Sequence, residues 1–508
     1  YTRWEYTDKE LMRIQSLWTV NPAGTAVSVF WGNQSYWPDM LLEARPIPGS
    51  HRVMFAGHGH HEVFLGAIGI LDPKLGFNYP DGLTRVTADV AWPEVGNGPA
   101  ERIENPRYHA SGRFIGYKSP YPLSEELFLV SARPAGGVHK LYLMDTLGNR
   151  ELIYEGAFHV LYAQPIRPRP VPPVVPDTVA WPGSEKEGRT VEPGVVYSPN
   201  VFEGLPDAVR EKARAIRVIN LDYTTFTYGL KTQGYSHWGG QPHMHAGPPI
   251  SITCNDGFKR ILGTVPIGAD GSVSIEVSPC KQLHFQIVDE HGRALQTMRS
   301  FANVMPGERR GCLGCHEMHS AAPAVKHGGA AWKPPVKPTP PPWGASYSLG
   351  YERDIQPILD NHCGKCHQGD GKGRAKLDLT LRPSKDAGAF PEPYVTLTLG
   401  ARRSFPSSFI AAEGGIAGTI LAENQPWRPK DYATLPPMTT LSYTSKLIDI
   451  AMGRRFQGCL FDAKVDPLSL QKLITWVDIL CPFLGEPEIR SLPDPDPTDP
   501  RFANSDYP

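Results

Sequence analysis

No stretch of about 18 consecutive apolar residues occurs in the chain, so nothing in it reads as a membrane-spanning helix. Charge of neither sign is in excess. The 51 Lys and Arg face 52 Asp and Glu, and a formal net charge of −1 offers no general surface for nucleic acid or another polyanion. Glycine-containing segments such as Glu413-Gly-Gly415 lack the spacing and the lysine of a phosphate-binding loop. Neither a nucleophile elbow nor a carboxylate pair stands out, and no histidine comes after His367. Cysteine is sparse, with eight in 508 residues, so what each one does can be asked individually. The chain opens at Tyr1 with no Met and no signal-like segment, the pattern expected of a mature or partial exported chain.

What is present is concentrated. Cys312-Leu-Gly-Cys315-His316 and Cys363-Gly-Lys-Cys366-His367 both carry the spacing at which a c-type haem is attached. Two thiols form thioethers to the haem vinyl groups, and the adjacent imidazole becomes the proximal iron ligand. The competing reading is a pair of zinc or redox Cys-x-x-Cys motifs that happen to precede His. At this composition one such pentapeptide arises by chance in roughly one chain in a few hundred, so a chance pair is negligible. Two covalent haem c groups are therefore expected, in a compartment where haem is attached outside the cytoplasm, periplasmic or otherwise exported. Cys254, Cys280, Cys459 and Cys481 remain. Cys254 with Cys280 and Cys459 with Cys481 are the sequence-local disulfide pairings, with free buried thiols as the alternative.

Proline is the other excess, 52 residues, and with 50 glycines it implies many turns and stiff connections. Residues 1–165 read as short strands of a partial β-propeller-like domain. Ala26–Phe30, Val53–Phe55, Leu127–Val130 and Lys140–Met144 are apolar or alternating runs, and Leu147-Gly-Asn149 marks a turn. Residues 166–185 form a proline-rich linker. A β-rich middle domain with the first haem comes next, over 186–332. There Arg260–Val265 and Val273–Val277 flank Gly268-Ala-Asp-Gly271, and His284–Val288 and Arg293–Thr297 flank Glu290-His-Gly292. Successive hairpins of this kind suggest a β-sandwich. A second proline-rich linker, 333–345, leads to an α-helical cytochrome c domain with the second haem at 346–485. Its first helix presents Tyr351, Ile355, Ile358 and Leu359 on one face, and its closing helix starts at Asp466-Pro467 and presents Leu470, Leu473, Ile474 and Val477. The acidic proline-rich tail 486–508 is expected to be extended or docked irregularly.

Each iron has a second face. For the haem at His367, Met438 in Leu435-Pro-Pro-Met438 is the leading distal ligand, since a thioether from a proline-stiffened loop favours reduced iron. Tyr443, a His from another domain and an open position are the alternatives. For the haem at His316, His237, His243 and His245 are candidates beside a five-coordinate iron, which would leave room for a small molecule; His319 is too close to His316 to reach the opposite face. His58-Gly-His-His61 with Glu62 is a polar turn or the site of an additional metal ion. His362 is either exposed or a ligand to a neighbouring haem.

These features, with Tyr1–Tyr6, Ala44–Gly49, the Gly59–His61 step, Arg260–Pro266, Met298–Ser300, Met305–Gly307, Leu435–Pro437, Ser445–Leu447 and Trp476–Asp478 in this order, resemble the hydrazine synthase alpha subunit and its wider relatives. The resemblance implies an N-terminal β-propeller, a middle domain whose haem is catalytic, and a C-terminal cytochrome c domain for electron transfer. The first 165 residues would be only part of such a propeller. In the family a Tyr shortly after the first haem motif ligates that iron; here the position corresponds to Ser320. The family's second haem takes a distal His from the loop before Ser-Lys-Leu; here that position corresponds to Tyr443. Hydrazine synthesis is therefore not carried over. Three readings remain: an exported electron-carrying dihaem cytochrome with redox partner proteins, an oxidoreductase acting on a small nitrogen or oxygen species at an open first haem, or a haem-bearing scaffold among other subunits.

Overall fold

The computed structural model describes residues 1–4, 15–35, 38–59, 66–87, 89–90, 92, 116–134, 137–176, 179, 191–222, 258–314, 329, 333–384, 390–399, 415–417, 434–454 and 465–491. Among them no helix is long and apolar enough to cross a membrane. The chain divides into two units, one over Tyr1–Val179 and one over most of the remaining residues.

The first unit is built on eleven described strands: β1 (Thr2–Trp4), β2 (Gln15–Thr19), β3 (Ser28–Trp31), β4 (Met40–Pro46), β5 (Val53–His58), β6 (Gly66–Leu71), β7 (Leu83–Arg85), β8 (Gly116–Pro122), β9 (Leu127–Arg133), β10 (Lys140–Asp145) and β11 (Arg150–Tyr154). They form one sheet in the order β1-β2-β4-β5-β6-β8-β9-β10-β11, with β3 on β2 and β7 on β6. β5 and β6 are buried on both faces, which is why their sequences run apolar without alternation. Trp92 lies across them. Phe55 stacks on it with ring centroids 5.7 Å apart. A Cβ at Gly57 would come within 2.5 Å of the Trp92 ring, so the close approach requires glycine. Between Leu127 and Tyr154, where the sequence suggests two or three antiparallel strands, lie β9, β10 and β11. β4 slips register between Leu42 and Arg45, and β8 between Lys118 and Tyr121. Each strand thus carries a bulge.

In the second unit β12 (Gly194–Ser198), β13 (Ala215–Leu221), β14 (Lys259–Pro266), β15 (Val273–Val277), β16 (Gln282–Val288), β17 (Ala294–Thr297) and β18 (Arg309–Gly311) form two sheets, β15-β12-β18 and β14-β13-β16-β17, with α1 (Asp207–Lys212) preceding β13. Val196, Ile275, Val218, Leu283 and Ile287 meet in the core between them. β16 and β17 make the hairpin expected around Glu290-His-Gly292. The hairpin expected around Gly268-Ala-Asp-Gly271 does not form. β14 pairs with β13 and β15 with β12, so this turn carries the chain from one sheet to the other. Residues 333–343, expected as a spacer, lie along both sheets instead. Thr339 and Thr264 exchange N–H···O bonds of 2.9 and 3.0 Å, and Val336 donates to Ser274 at 2.9 Å and accepts from Glu276 at 3.0 Å.

The sheet β14-β13-β16-β17 also serves a second core. Ile219, Leu221 and Ile261 pack with the helices α2 (Gln356–His367), α3 (Glu392–Leu399), α4 (Lys446–Ala451) and α5 (Pro467–Asp478). One turn of π-helix, Tyr351–Ile355, runs into α2, and the predicted face of Tyr351, Ile355, Ile358 and Leu359 is buried. Asp466 caps α5 by accepting the Ser469 N–H at 3.0 Å, with Pro467 in the first turn as expected. Leu473, Ile474, Trp476 and Val477 are buried from it. The tail does not begin extended. α6 (Glu486–Ser491) is helical, because the carboxylates of its first turn meet guanidiniums: Glu486 with Arg260 and Glu488 with Arg353, each at 2.5 Å.

Candidate functional site

The second motif forms the C-terminal end of α2. Burial of Ile358 and Leu359 turns the opposite side of the last helical turns outward. Cys363 is half-buried and Cys366 exposed, and neither is in a disulfide. At i and i+3 they lie on the same side of the helix. His367 comes next, half-buried, with Nδ1 at 2.8 Å from the Leu377 carbonyl oxygen. A carbonyl only accepts, so the ring proton sits on Nδ1 and the Nε2 lone pair is left for a metal.

The segment after the helix is wrapped tightly around this ring. The Gly373 N–H donates to the Cys366 carbonyl at 2.8 Å and the Leu379 N–H to that of His367 at 2.9 Å. A Cβ at Gly373 would stand 2.7 Å from His367 Cε1, so any side chain there would displace the imidazole. Asp378 holds the segment's shape. It accepts the Thr380 N–H at 3.0 Å, and the Arg374 and Arg382 guanidiniums each lie at 3.1 Å. Hydrogen bonds from Thr380, then the two arginines, hold its carboxyl at about 2. Two thiols on one helix side, an imidazole with a free Nε2 and a glycine cradle fit a c-type haem.

Met438 and Tyr443 fall on the loop before α4. Met438 has φ +60, and its N–H donates to the Leu295 carbonyl at 2.7 Å. The Arg293 guanidinium lies 4.8 Å over the Tyr443 ring. Both side chains pack against the core between the two sheets, which also takes Cys312, whereas Cys363 packs against the helical core. His362 faces Asp466 at 3.3 Å, linking α2 to the cap of α5.

Of the first motif, Cys312 is described. It directly succeeds β18, which pairs in parallel with β12, and its N–H donates to the Tyr197 carbonyl at 2.7 Å. Burial pushes its thiol pKa up, against the pull of Arg310. Cys315, His316, His319 and Ser320 lie outside the described residues, as do His237, His243, His245, His60, His61 and Glu62. Cys280 is exposed and Cys481 buried, both as thiols, while Cys254 and Cys459 also lie outside. Among the described residues no group of three or more His, Cys, Asp and Glu could hold a further metal ion.

Sequence reading missed two arrangements. His58, buried in β5, faces His139 electrostatically, and His139 Nδ1 lies 2.8 Å from His159 Nδ1. Burial, then His159 and the cations Arg133 and Lys118, lower His139 to about 4. The other is a buried hub joining β13, β16 and β17 to α5. Arg217 donates to Asp478 at 2.7 Å and to Gln286 at 2.9 Å, and Asp478 accepts the Ser442 N–H at 3.0 Å and the Ala294 N–H at 3.2 Å. The hub, with the Met438–Leu295 bond, fastens the loop 435–443 to the sheet that both cores share.

Residues 211–317, a span that includes the whole first motif, match the family model of the hydrazine synthase alpha subunit middle domain. Comparison with curated proteins finds no match. Among solved structures the chain is similar to Kuenenia stuttgartiensis hydrazine synthase, with a TM-score of 0.62 at 14% identity over 92% of this chain. It spans 65% of the length of that chain. The middle region is thus similar to the middle domain of the hydrazine synthase alpha subunit, and nearly the whole chain shares the β-rich fold of the solved synthase.

Proposed function

We propose that the chain is an exported dihaem c-type cytochrome that carries electrons in periplasmic redox metabolism. The N-terminal sheet would then be part of a propeller, and the helical region a cytochrome c domain. The observation that carries the reading is the end of α2, where Cys363, Cys366 and a His367 oriented by the Leu377 carbonyl stand together. A haem bound there would supply one-electron chemistry. The residues do the rest. Each thiol would add across a vinyl group of that haem, its sulfur bonding to one carbon and its hydrogen passing to the other. His367 offers Nε2, and the Nδ1–H bond to Leu377 makes that nitrogen a better donor. Met438 is proposed as the distal ligand, which requires its side chain to leave the core that takes Cys312 and turn toward α2. Cys312, Cys315 and His316 would hold the other haem, which would supply a second relay or a place for a small nitrogen or oxygen species to react. The similar solved structure belongs to a hydrazine synthase, which makes companion subunits the first partners to seek.

Intact mass and a pyridine haemochrome assay test the reading. Two haems per chain, lost one at a time in C363S/C366S and C312S/C315S, are expected. No added mass refutes it and returns both motifs to zinc or thiol chemistry. Carbon monoxide added to the reduced protein then separates carrier from enzyme: a bound, shifted spectrum assigns an open iron, and no response assigns two relays.

A further inference from the structure

The first unit holds a cavity of about 200 Å³ that the redox reading leaves unused, lined by Glu43, Arg45, Pro120, Tyr121, Tyr162 and Gln164 among others. Its construction is unusual. The bulges of β4 and β8 meet here, and three non-glycine residues of its wall adopt left-handed backbone: Glu43 at φ 55, Ser119 at φ 53 and Tyr162 at φ 56. Strain of this kind persists where the surroundings enforce it, and it gathers at ligand sites.

The charges are arranged to leave one sign free. Glu43 is satisfied: the Ser119 N–H donates to it, the Ser119 hydroxyl lies at 3.4 Å, Lys118 Nζ at 3.5 Å, and the Tyr162 hydroxyl hydrogen-bonds to it. Arg45 is not. The half-buried Arg45 guanidinium lies 5.9 Å from the Tyr121 ring centroid and Arg169 lies 5.7 Å from it, and neither has a carboxylate partner among the described residues. Cation–π contact orients a guanidinium without using its donor fork. The rest of the wall is mostly apolar, with Ala44, Pro120, Tyr121, Tyr162 and Ala163 beside the polar Ser119 and Gln164.

We propose that this cavity binds a small organic anion, a carboxylate with a flat apolar body of about one ring. The Arg45 fork takes the carboxylate through two parallel N–H···O bonds, and Tyr121 and Tyr162 flank the body. The size agrees, since an apolar cavity of about 150 Å³ accepts a benzene ring and the additional volume admits a carboxylate.

Titration calorimetry on the full-length haem-loaded chain tests this with benzoate, its neutral isostere benzamide, and acetate. Benzoate is expected to bind saturably at one site, with benzamide and acetate each at least tenfold weaker. Arg45→Met removes the preference for benzoate over benzamide, and Arg45→Lys, keeping charge without the fork, retains part of it. No saturable benzoate binding, or equal binding of benzoate and benzamide, overturns the proposal. So does a folded Arg45→Met chain that binds benzoate as the parent does. Benzoate binding no tighter than acetate overturns the apolar half.

Discussion

Asp478→Asn tests whether the two cores of the second unit are locked together by charge. The Arg217 side chain is 4% exposed and that of Asp478 0%. Neither charge can turn to water when the other is removed. Asparagine leaves Arg217 buried and uncompensated, and presents an amide donor where Asp478 had only acceptors for Arg217, Ser442 and Ala294. Removing one partner of a buried pair costs about 3–5 kcal/mol. At roughly 2–4 °C per kcal/mol for a domain of this class, the melting temperature falls by about 6–20 °C. Urea and thermal unfolding followed by circular dichroism measure it. Adding Arg217→Met to Asp478→Asn then removes the orphaned charge and restores part of the loss, a coupling that a double-mutant cycle reads directly. A single variant within about 1 kcal/mol of the parent refutes the argument, as does a double variant whose losses simply add.

Four further outcomes are expected. Gly373→Ala puts a methyl group 2.7 Å from His367 Cε1, so the imidazole tilts away from Leu377 and the spectrum and potential of the haem at His367 change while the other haem's do not; unchanged potentials sink this. Asp378 is depressed to about 2, so its stabilisation is present above its ordinary value near 3.8 and is lost as pH falls toward 2; Asp378→Asn should flatten acid unfolding across that window. His139 is depressed from 6.5 to about 4, so burying it neutral stabilises nothing at low pH: stability of the first unit is full above pH 6.5 and declines by on the order of 3 kcal/mol toward pH 4, a slope His139→Gln should abolish. Met438→Ala lowers the potential of the haem at His367 with loss of its far-red charge-transfer band, and an unaltered spectrum assigns Met438 to packing under Leu295 alone.

The readable parts of the sequence were those whose cause is local. The α5 start was legible because Asp466 and Pro467 are adjacent, and the β16–β17 hairpin because Glu290-His-Gly292 sits between two alternating runs. The β14–β15 connection was misread for the same reason: a tight turn is a local signal, while the choice of sheet belongs to β12 and β13, far back in the chain. The parallel pairing of β12 with β18, which places Cys312, has no turn to announce it. The spacing of Cys363, Cys366 and His367 is visible in the sequence, and the structure adds their place at the end of α2. The Leu377 carbonyl that orients His367 is not visible in the sequence, because a backbone oxygen has no side-chain signature. Arg217 and Asp478 stand 261 residues apart, and His58 and His139 belong to different strands and loops. Only the fold brings such groups into one field.

The proline-rich stretch at 333–343 has a consequence for solubility. By bonding to β14 through Thr339 and to β15 through Val336, it occupies the outer rims of both sheets. Those rims would otherwise offer rows of open amides and carbonyls to any passing chain. Pro334, Pro335, Pro338, Pro340 and Pro341 bring no amide hydrogen of their own, so ladder growth stops after one added segment. The stretch works as a selvedge, finishing two raw margins of the weave so that neither can be taken up by a neighbouring molecule.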